Sequence, residues 1–305
     1  MVAALKLAIT GGTGFVGSHL IDAARAAGYP VTALTRRPQP PRDGLDWIAG
    51  DLADGPALRR LADGADALIH VAGVLNAPNE AAFEAGNVIG TVAVLEAAKA
   101  AGVSRFVFVS SLAAREPQLS MYGASKARAE DIVRDSGLNW SIVRPPAVYG
   151  PGDRETLELF KMARLGLMLM PPQGRLSLIH ARDLARLLLA LAEPTAPSGL
   201  TIEPDDGRPG GWTHKGFAAA LGQAVGKRPL VLSAPSSLLR IAARADRLLR
   251  GARAKLTPDR AAYFSHRDWL VDPARAAPAD LWAPQIQTEQ GLAETAGWYR
   301  RQGWL

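Results

Sequence analysis

Five short apolar runs set the strongest limit on what this chain can fold into. LKLAI (5–9), VTALT (31–35), ALIHV (67–71), RFVFV (105–109) and WSIVR (140–144) are rich in Val, Ile and Leu and show no polar alternation, as strands buried on both faces do. Between them lie patterns of helical period such as FVGSHLIDAARAAG and GTVAVLEAAKAAG, each closing near a glycine that can cap it. Strand and helix in alternation predict parallel strands with crossover helices, an α/β doubly wound sheet over residues 1–150. The remainder, 151–305, is less regular. RETLELFKMARLG and RDLARLLLALAE read as helices and GLTIEP as a strand, so 176–203 is expected to return to the core sheet. Past residue 204 come prolines, glycines, two or three helices and the tryptophan-rich AETAGWYRRQGWL. The two parts are expected to pack around a cleft without a flexible joint.

Composition removes several function classes. The chain has no cysteine, which excludes disulfides, thiolate metal sites and cysteine nucleophiles and fits a reducing, cytoplasmic setting. No stretch reaches 18 uninterrupted apolar residues, so no spanning helix is expected, and MVAALKLAIT is too short an apolar start for a signal peptide. The net charge is +6, but five of those charges fall within residues 240–255. That is a local patch without a nucleic-acid-binding module, and no nucleic-acid partner is expected. His180 and Asp183 in LIHARD have no second histidine or acid at ligand spacing; a structural hydrogen bond is the better reading, and no metal is expected.

The first strand runs directly into TGGTGFVG at 10–17. Gly11 permits the tight turn, Gly14 lets backbone N–H groups approach a pyrophosphate, and Gly17 lets the helix sit close to the sheet. Thr13, Phe15 and Val16 complete this cradle, whose helix N-terminus favours anions. The strand before it, the helix after it and a second strand at the right distance make it a dinucleotide site rather than a chance turn. At the end of that second strand an NAD site usually carries an acid for the ribose hydroxyls. Here the chain reads TRRP, and Arg36 can pair with a 2′-phosphate. NADP is preferred over NAD, with two solvated surface arginines as the alternative.

In chain order, TGGTGFVG, GDLAD, HVAG, NVIGT, FVFVSS, YGASK and VRPPAVYGPGD resemble the extended short-chain dehydrogenase/reductase family, which includes the NAD-dependent epimerase/dehydratases. The resemblance runs from residue 5 to about 193. It implies a Rossmann-type sheet with a smaller C-terminal substrate-binding region. It also implies that Tyr122 is the general acid/base, that Lys126 one turn on lowers the tyrosine pKa and holds the nicotinamide ribose, and that Ser111 bonds the substrate oxygen. Ser110, one residue out of register, is expected to be structural. Asp51 and Leu52 would flank the adenine, Val71, Ala72 and Gly73 the ribose side, and Pro145 to Val148 the nicotinamide. Asn87 matches a family asparagine; capping or core bonding is an equal alternative. A homodimer through helices at 79–101 and 121–136 is a family expectation.

Family dehydratases place an acidic pair beside the active-site hydroxyl, whereas Leu112 and Ala113 follow Ser111 here. What remains is oxidoreduction of an alcohol/carbonyl pair on a small, apolar substrate, since LGLMLMPPQG and APSSLLRIAA offer few partners for a nucleotide diphosphate. The alternatives are a nucleotide-sugar epimerase retaining NAD and a non-catalytic NADP-binding sensor or assembly protein. Residues 236–255 combine an apolar stripe (Leu238, Ile241, Leu248) with arginines. They read either as a helix packed on the lobe or as one leaning on an anionic membrane.

Overall fold

The computed structural model describes residues 5–171, 174–233, 263 and 266–305; the basic run at 236–255 lies outside them. The chain divides into two compact units. The first comprises Met1–Pro145, Arg182–Pro204 and Ala274–Ala283, and the second Pro146–Ala181, Asp205–Pro273 and Pro284–Leu305.

The first unit is built on seven parallel strands: β1 (Leu7–Thr10), β2 (Val31–Thr35), β3 (Leu45–Ala49), β4 (Ala67–His70), β5 (Arg105–Val109), β6 (Trp140–Val143) and, after four strands of the second unit, β11 (Leu200–Ile202). Their order is β11-β6-β5-β4-β1-β2-β3, with Leu7 in register with both Val31 and Ala67. The order reverses between β1 and β4, where a doubly wound sheet opens its ligand crevice at the strands' carboxyl ends. Every residue of β1, β2, β4 and β5 is buried, as their unbroken apolar runs require. β3 escapes the sequence pattern because it is an edge strand, with Asp46 exposed between Leu45 and Trp47.

Helices α1 (Phe15–Ala26), α2 (Gly55–Ala62), α3 (Glu80–Ala100) and α4 (Met121–Arg134) cover the sheet. α3 contains a π-helical turn at Glu84–Ile89. By length and composition α3 could cross a membrane, yet half of it is buried. Val94, Leu95 and Ala98 pack with Leu58, Leu68 and Phe106 in the sheet's core, which is how a core helix of such a sheet reads. A buried cation brings the later segment back. Arg105, 3% exposed, donates to Leu191 O at 2.8 Å, Pro197 O at 3.1 Å and Ser141 Oγ at 3.1 Å, tying the end of the helix Ala181–Ala192 and the loop before β11 to the sheet.

Among its described residues the second unit carries three small sheets. β7 (Ala147–Tyr149) pairs with β10 (Leu178–His180), β8 (Leu167–Met170) with β13 (Leu230–Ser233), and β9 (Arg175–Leu176) lies between β12 (Trp212–Thr213) and β14 (Asp268–Trp269). Only β11 of the 176–203 stretch thus joins the seven-stranded sheet. The aromatic tail closes this unit's core: in the helix Thr288–Arg301, Tyr299 is buried, stacks on Trp304 and donates to Asp153 O at 2.6 Å.

Candidate active site

α1 begins at Gly14, which has no side chain to cap it, and there is no acid in the first turn. Its orphan N–H groups therefore face outward. The glycines are there for space. A Cβ on Gly11, whose φ is +73°, would lie 2.6 Å from Ala72 N, and one on Gly17 would lie 2.1 Å from Gly11 O. At Gly14 the nearest atom would be Gly11 O at 3.2 Å, so this position opens outward, and both Thr13 and Gly14 are exposed. An uncapped helix start under an open glycine fits a dinucleotide pyrophosphate. At the end of β2, Thr35 Oγ1 donates to Arg37 O at 2.7 Å, turning the chain so that Arg36 and Arg37 are exposed. Neither has an ion-pair partner among the described residues. Asp51, also exposed, accepts from Ala53 N at 2.8 Å, while Leu52 packs on the core.

A hydrogen-bond chain that the sequence reading missed fixes the loop after β4. His70 is fully buried. Its Nδ1 lies 2.6 Å from Thr10 Oγ1 and its Nε2 lies 3.0 Å from Thr91 Oγ1. The Thr91 hydroxyl donates to Asn87 O at 2.6 Å, so it must accept from Nε2–H; Thr10 then donates to Nδ1. Thr10 Oγ1 in turn accepts from Ala72 N at 3.2 Å. Both ring nitrogens are used by the neutral tautomer. Burial, helped by the Lys126 charge, pushes the imidazole pKa down to about 3. The HVAG motif was the available signal, but nothing local distinguishes this histidine from any other strand end.

Asn87 turns out to be core-bonded and caps nothing. Its Oδ1 accepts from Val74 N at 2.6 Å, and its Nδ2 donates to Val74 O at 3.0 Å and Ser125 Oγ at 2.9 Å. Ser125 passes the link on, donating to Tyr122 O at 2.8 Å. The π-helical turn places Asn87 where it spans the loop and α4, a use such turns often serve.

Ser111 ends the extended backbone after β5, and its Oγ accepts from Ala113 N at 3.2 Å. The short helical turn Leu112–Arg115 follows. α4 starts at Met121, five residues before Lys126, capped by Ser120, whose side chain accepts from Gly123 N at 2.9 Å. Gly123 lets the two segments touch, because a Cβ there would lie 2.6 Å from Ala113 O. The Ser111 hydroxyl lies near enough to Tyr122 to act on its phenol. Lys126, 3% exposed, donates to Val109 O at 2.8 Å and sits 4.1 Å from the Phe108 ring centroid.

The electrostatics correct one expectation. Desolvation pushes the Tyr122 phenol above its ordinary pKa, and the nearby Ser111 hydroxyl offsets this only in part. Lys126 lowers its own pKa instead: burial brings it down to about 7 against the opposing charge of Glu130. A half-protonated lysine engaged with a carbonyl does little to favour a phenolate. The phenol form of Tyr122 is thereby favoured.

Ser110 is structural. Its Oγ donates to Glu130 Oε1 at 2.5 Å. The buried Glu130 also takes Arg144 at 2.6 and 2.8 Å and Arg134 at 2.7 Å. Arg144 and Arg115 both reach the buried Glu203, at 3.2 and 3.0 Å. This network joins both sides of the Ser111 turn to α4 and β6. Pro145 is buried at the end of β6 and its carbonyl accepts from Leu112 N at 3.0 Å. Val148 lies on β7 in the second unit. There, His180 is buried edge-on against Tyr149, 5.2 Å between centroids. In the first unit Asp183 takes Arg186 at 2.5 Å.

Comparison with known proteins identifies the family. The model of the NAD dependent epimerase/dehydratase family matches residues 7–200. The ceramide reductase of Caulobacter vibrioides is 39% identical, with 98% of this chain and 96% of that protein covered. The 2-alkyl-3-oxoalkanoate reductase of Stenotrophomonas maltophilia is 29% identical over 94% of this chain and 97% of its own. The crystal structure of the Bordetella bronchiseptica enzyme WbmG in complex with NAD shares the fold, with a TM-score of 0.77 at 19% identity over 99% of this chain and 96% of that one. The match reaches from the cradle through α4 to β11, and with reductases among its relatives the chain is an NAD(P)-dependent oxidoreductase of the NAD-dependent epimerase/dehydratase family.

Proposed function

We propose that the protein reduces a ketone on an apolar, long-chain substrate, a ceramide-type lipid or a related oxo compound, with NADPH as the reductant. The observation that carries this reading is the neighbouring pair of hydroxyls, Ser111 and Tyr122, with the phenol form of the tyrosine favoured. Two hydroxyls that can both bond one carbonyl oxygen polarise it, and the phenol, not a phenolate, is the form that delivers a proton to the oxygen as it becomes a carbinol.

Gly11, Gly14 and Gly17 would hold the pyrophosphate and Arg36 the 2′-phosphate; the bound dinucleotide supplies the hydride. Lys126, with its pKa near 7, can pass on the replacement proton after each turnover. Asn87, Ser125 and His70 hold these groups in place and exchange nothing with the substrate. The names of the ceramide reductase and the oxoalkanoate reductase support an apolar oxo substrate, as does the absence of an acidic pair after Ser111. A cytoplasmic site of action and a homodimer are part of this proposal.

The test is NADPH consumption by the purified protein with a ketone-bearing ceramide, a 3-oxoalkanoate or a nucleotide sugar, with the product identified by mass. Gain of two hydrogens on the lipid ketone is expected. Turnover of the nucleotide sugar alone, without net NADPH loss, would put the epimerase reading first. Arg36→Ala is expected to weaken NADPH binding about tenfold or more while leaving NADH binding unchanged. Equal loss for both cofactors would refute the role given to Arg36.

A further inference from the structure

A strand pair in the second unit breaks the rule that exposed sheet faces are polar. β8 reads LMLM: Met168 and Met170 point into the core, while Leu167 and Leu169 are 49% and 45% exposed. Its parallel partner β13 places Leu230 beside Leu167 and Leu232 beside Leu169, and these are 63% and 45% exposed. Paired residues of neighbouring strands share a face, so four leucines form one square on the outer side. Leu165, 81% exposed at the end of the helix Leu157–Leu165, adjoins it, since Leu230 N donates to the neighbouring Gly166 O at 2.8 Å. Half-buried sheets ordinarily alternate apolar and polar residues, and a contiguous apolar patch marks a docking surface.

Its border indicates what it meets. Arg164 precedes Leu165, and Lys227 and Arg228 precede Leu230 by two or three residues; all three are exposed. None has an ion-pair partner among the described residues. Apolar side chains set between unpaired cations complement a surface that is anionic outside and hydrocarbon within, and a second protein copy would bring the same cations against themselves.

We propose that the leucine face of β8 and β13 docks on the surface of an anionic lipid bilayer, its leucines entering the headgroup boundary and Arg164, Lys227 and Arg228 pairing with lipid phosphates. The docking needs neither turnover nor any particular substrate, so it stands or falls apart from the proposed reduction.

The test is co-sedimentation of the full chain with vesicles of phosphatidylcholine alone or mixed with phosphatidylglycerol. Binding to the mixed vesicles is expected, together with a loss of about tenfold or more in Leu165→Ser/Leu230→Ser and in Arg164→Gln/Lys227→Gln/Arg228→Gln. These residues are exposed, and circular dichroism checks that each variant remains folded; should the leucine variant unfold, the charge variant decides. Failure of the wild type to bind mixed vesicles overturns the proposal. So does unchanged binding in both variants, which would place any lipid contact in the arginine-rich residues 240–255. A leucine variant that converts a dimer to a monomer would make the face a self-interface, and the proposal would fall.

Discussion

His70 should make the first unit sensitive to mild acid, and the size of the effect follows from its surroundings. The folded imidazole resists protonation until about pH 3, against 6.5 for the free side chain. Between those values the unfolded chain binds a proton that the folded chain does not, so stability falls as pH falls through this window. Integrating the difference gives a loss of about 2 kcal/mol between about pH 7 and pH 5, with little further contribution above pH 7. Lys126 contributes only about 0.4 kcal/mol over the same range, because its folded pKa of about 7 lies at the upper edge. Urea unfolding of the wild type and His70→Gln at the two pH values measures this. The substitution costs stability at both, through the Thr10 and Thr91 hydroxyls it leaves poorly matched, but that offset cancels in the comparison. Carboxylate titrations are common to both proteins and cancel as well. The pH-dependent loss should shrink by about 2 kcal/mol in the variant. An equal slope in both proteins would show that His70 accepts a proton in the folded state, and the neutral tautomer inferred from Thr91 would be wrong.

Other positions carry their own expectations. Tyr122→Phe should lower kcat by about 100-fold to 10,000-fold while leaving NADPH affinity within a few fold; retained turnover in stopped-flow assays would remove Tyr122 from the chemistry. Arg144→Met strands the buried Glu130 and Glu203 carboxylates and should cost about 3–5 kcal/mol in denaturant melts; a loss under 1 kcal/mol would mean that Arg134 and Arg115 suffice (about the value of a surface pair). Gly17→Ala, whose Cβ would meet Gly11 O at 2.1 Å, should destabilise the fold. Gly14→Ala should leave melting nearly unchanged and weaken calorimetric NADPH binding, and the reverse ranking would refute the division of labour within the cradle.

Much of the site could be read before any coordinates, for a local reason. The cradle's turn, the helix that starts on it, and the one-turn spacing of Tyr122 and Lys126 are decided by residues within a few positions of each other. The apolar runs of β1, β2, β4 and β5 announce burial on both faces, and from them the parallel order follows. β3 stayed hidden because an edge strand with Asp46 exposed loses the pattern that betrays its neighbours.

What tertiary structure alone decided depends on partners far apart in sequence. Thr10, His70 and Thr91 meet across 21 and 60 residues, and Arg144 reaches Glu203 across 59. Nothing in either neighbourhood tells a buried, partnered side chain from a solvated one. The sign of the Tyr122 shift was equally out of reach. Spacing puts a lysine on the right helix face, but whether its charge or the burial of both groups prevails depends on how closely β5, α4 and the Ser111 turn pack around them. In the folded chain desolvation is the larger influence on both groups.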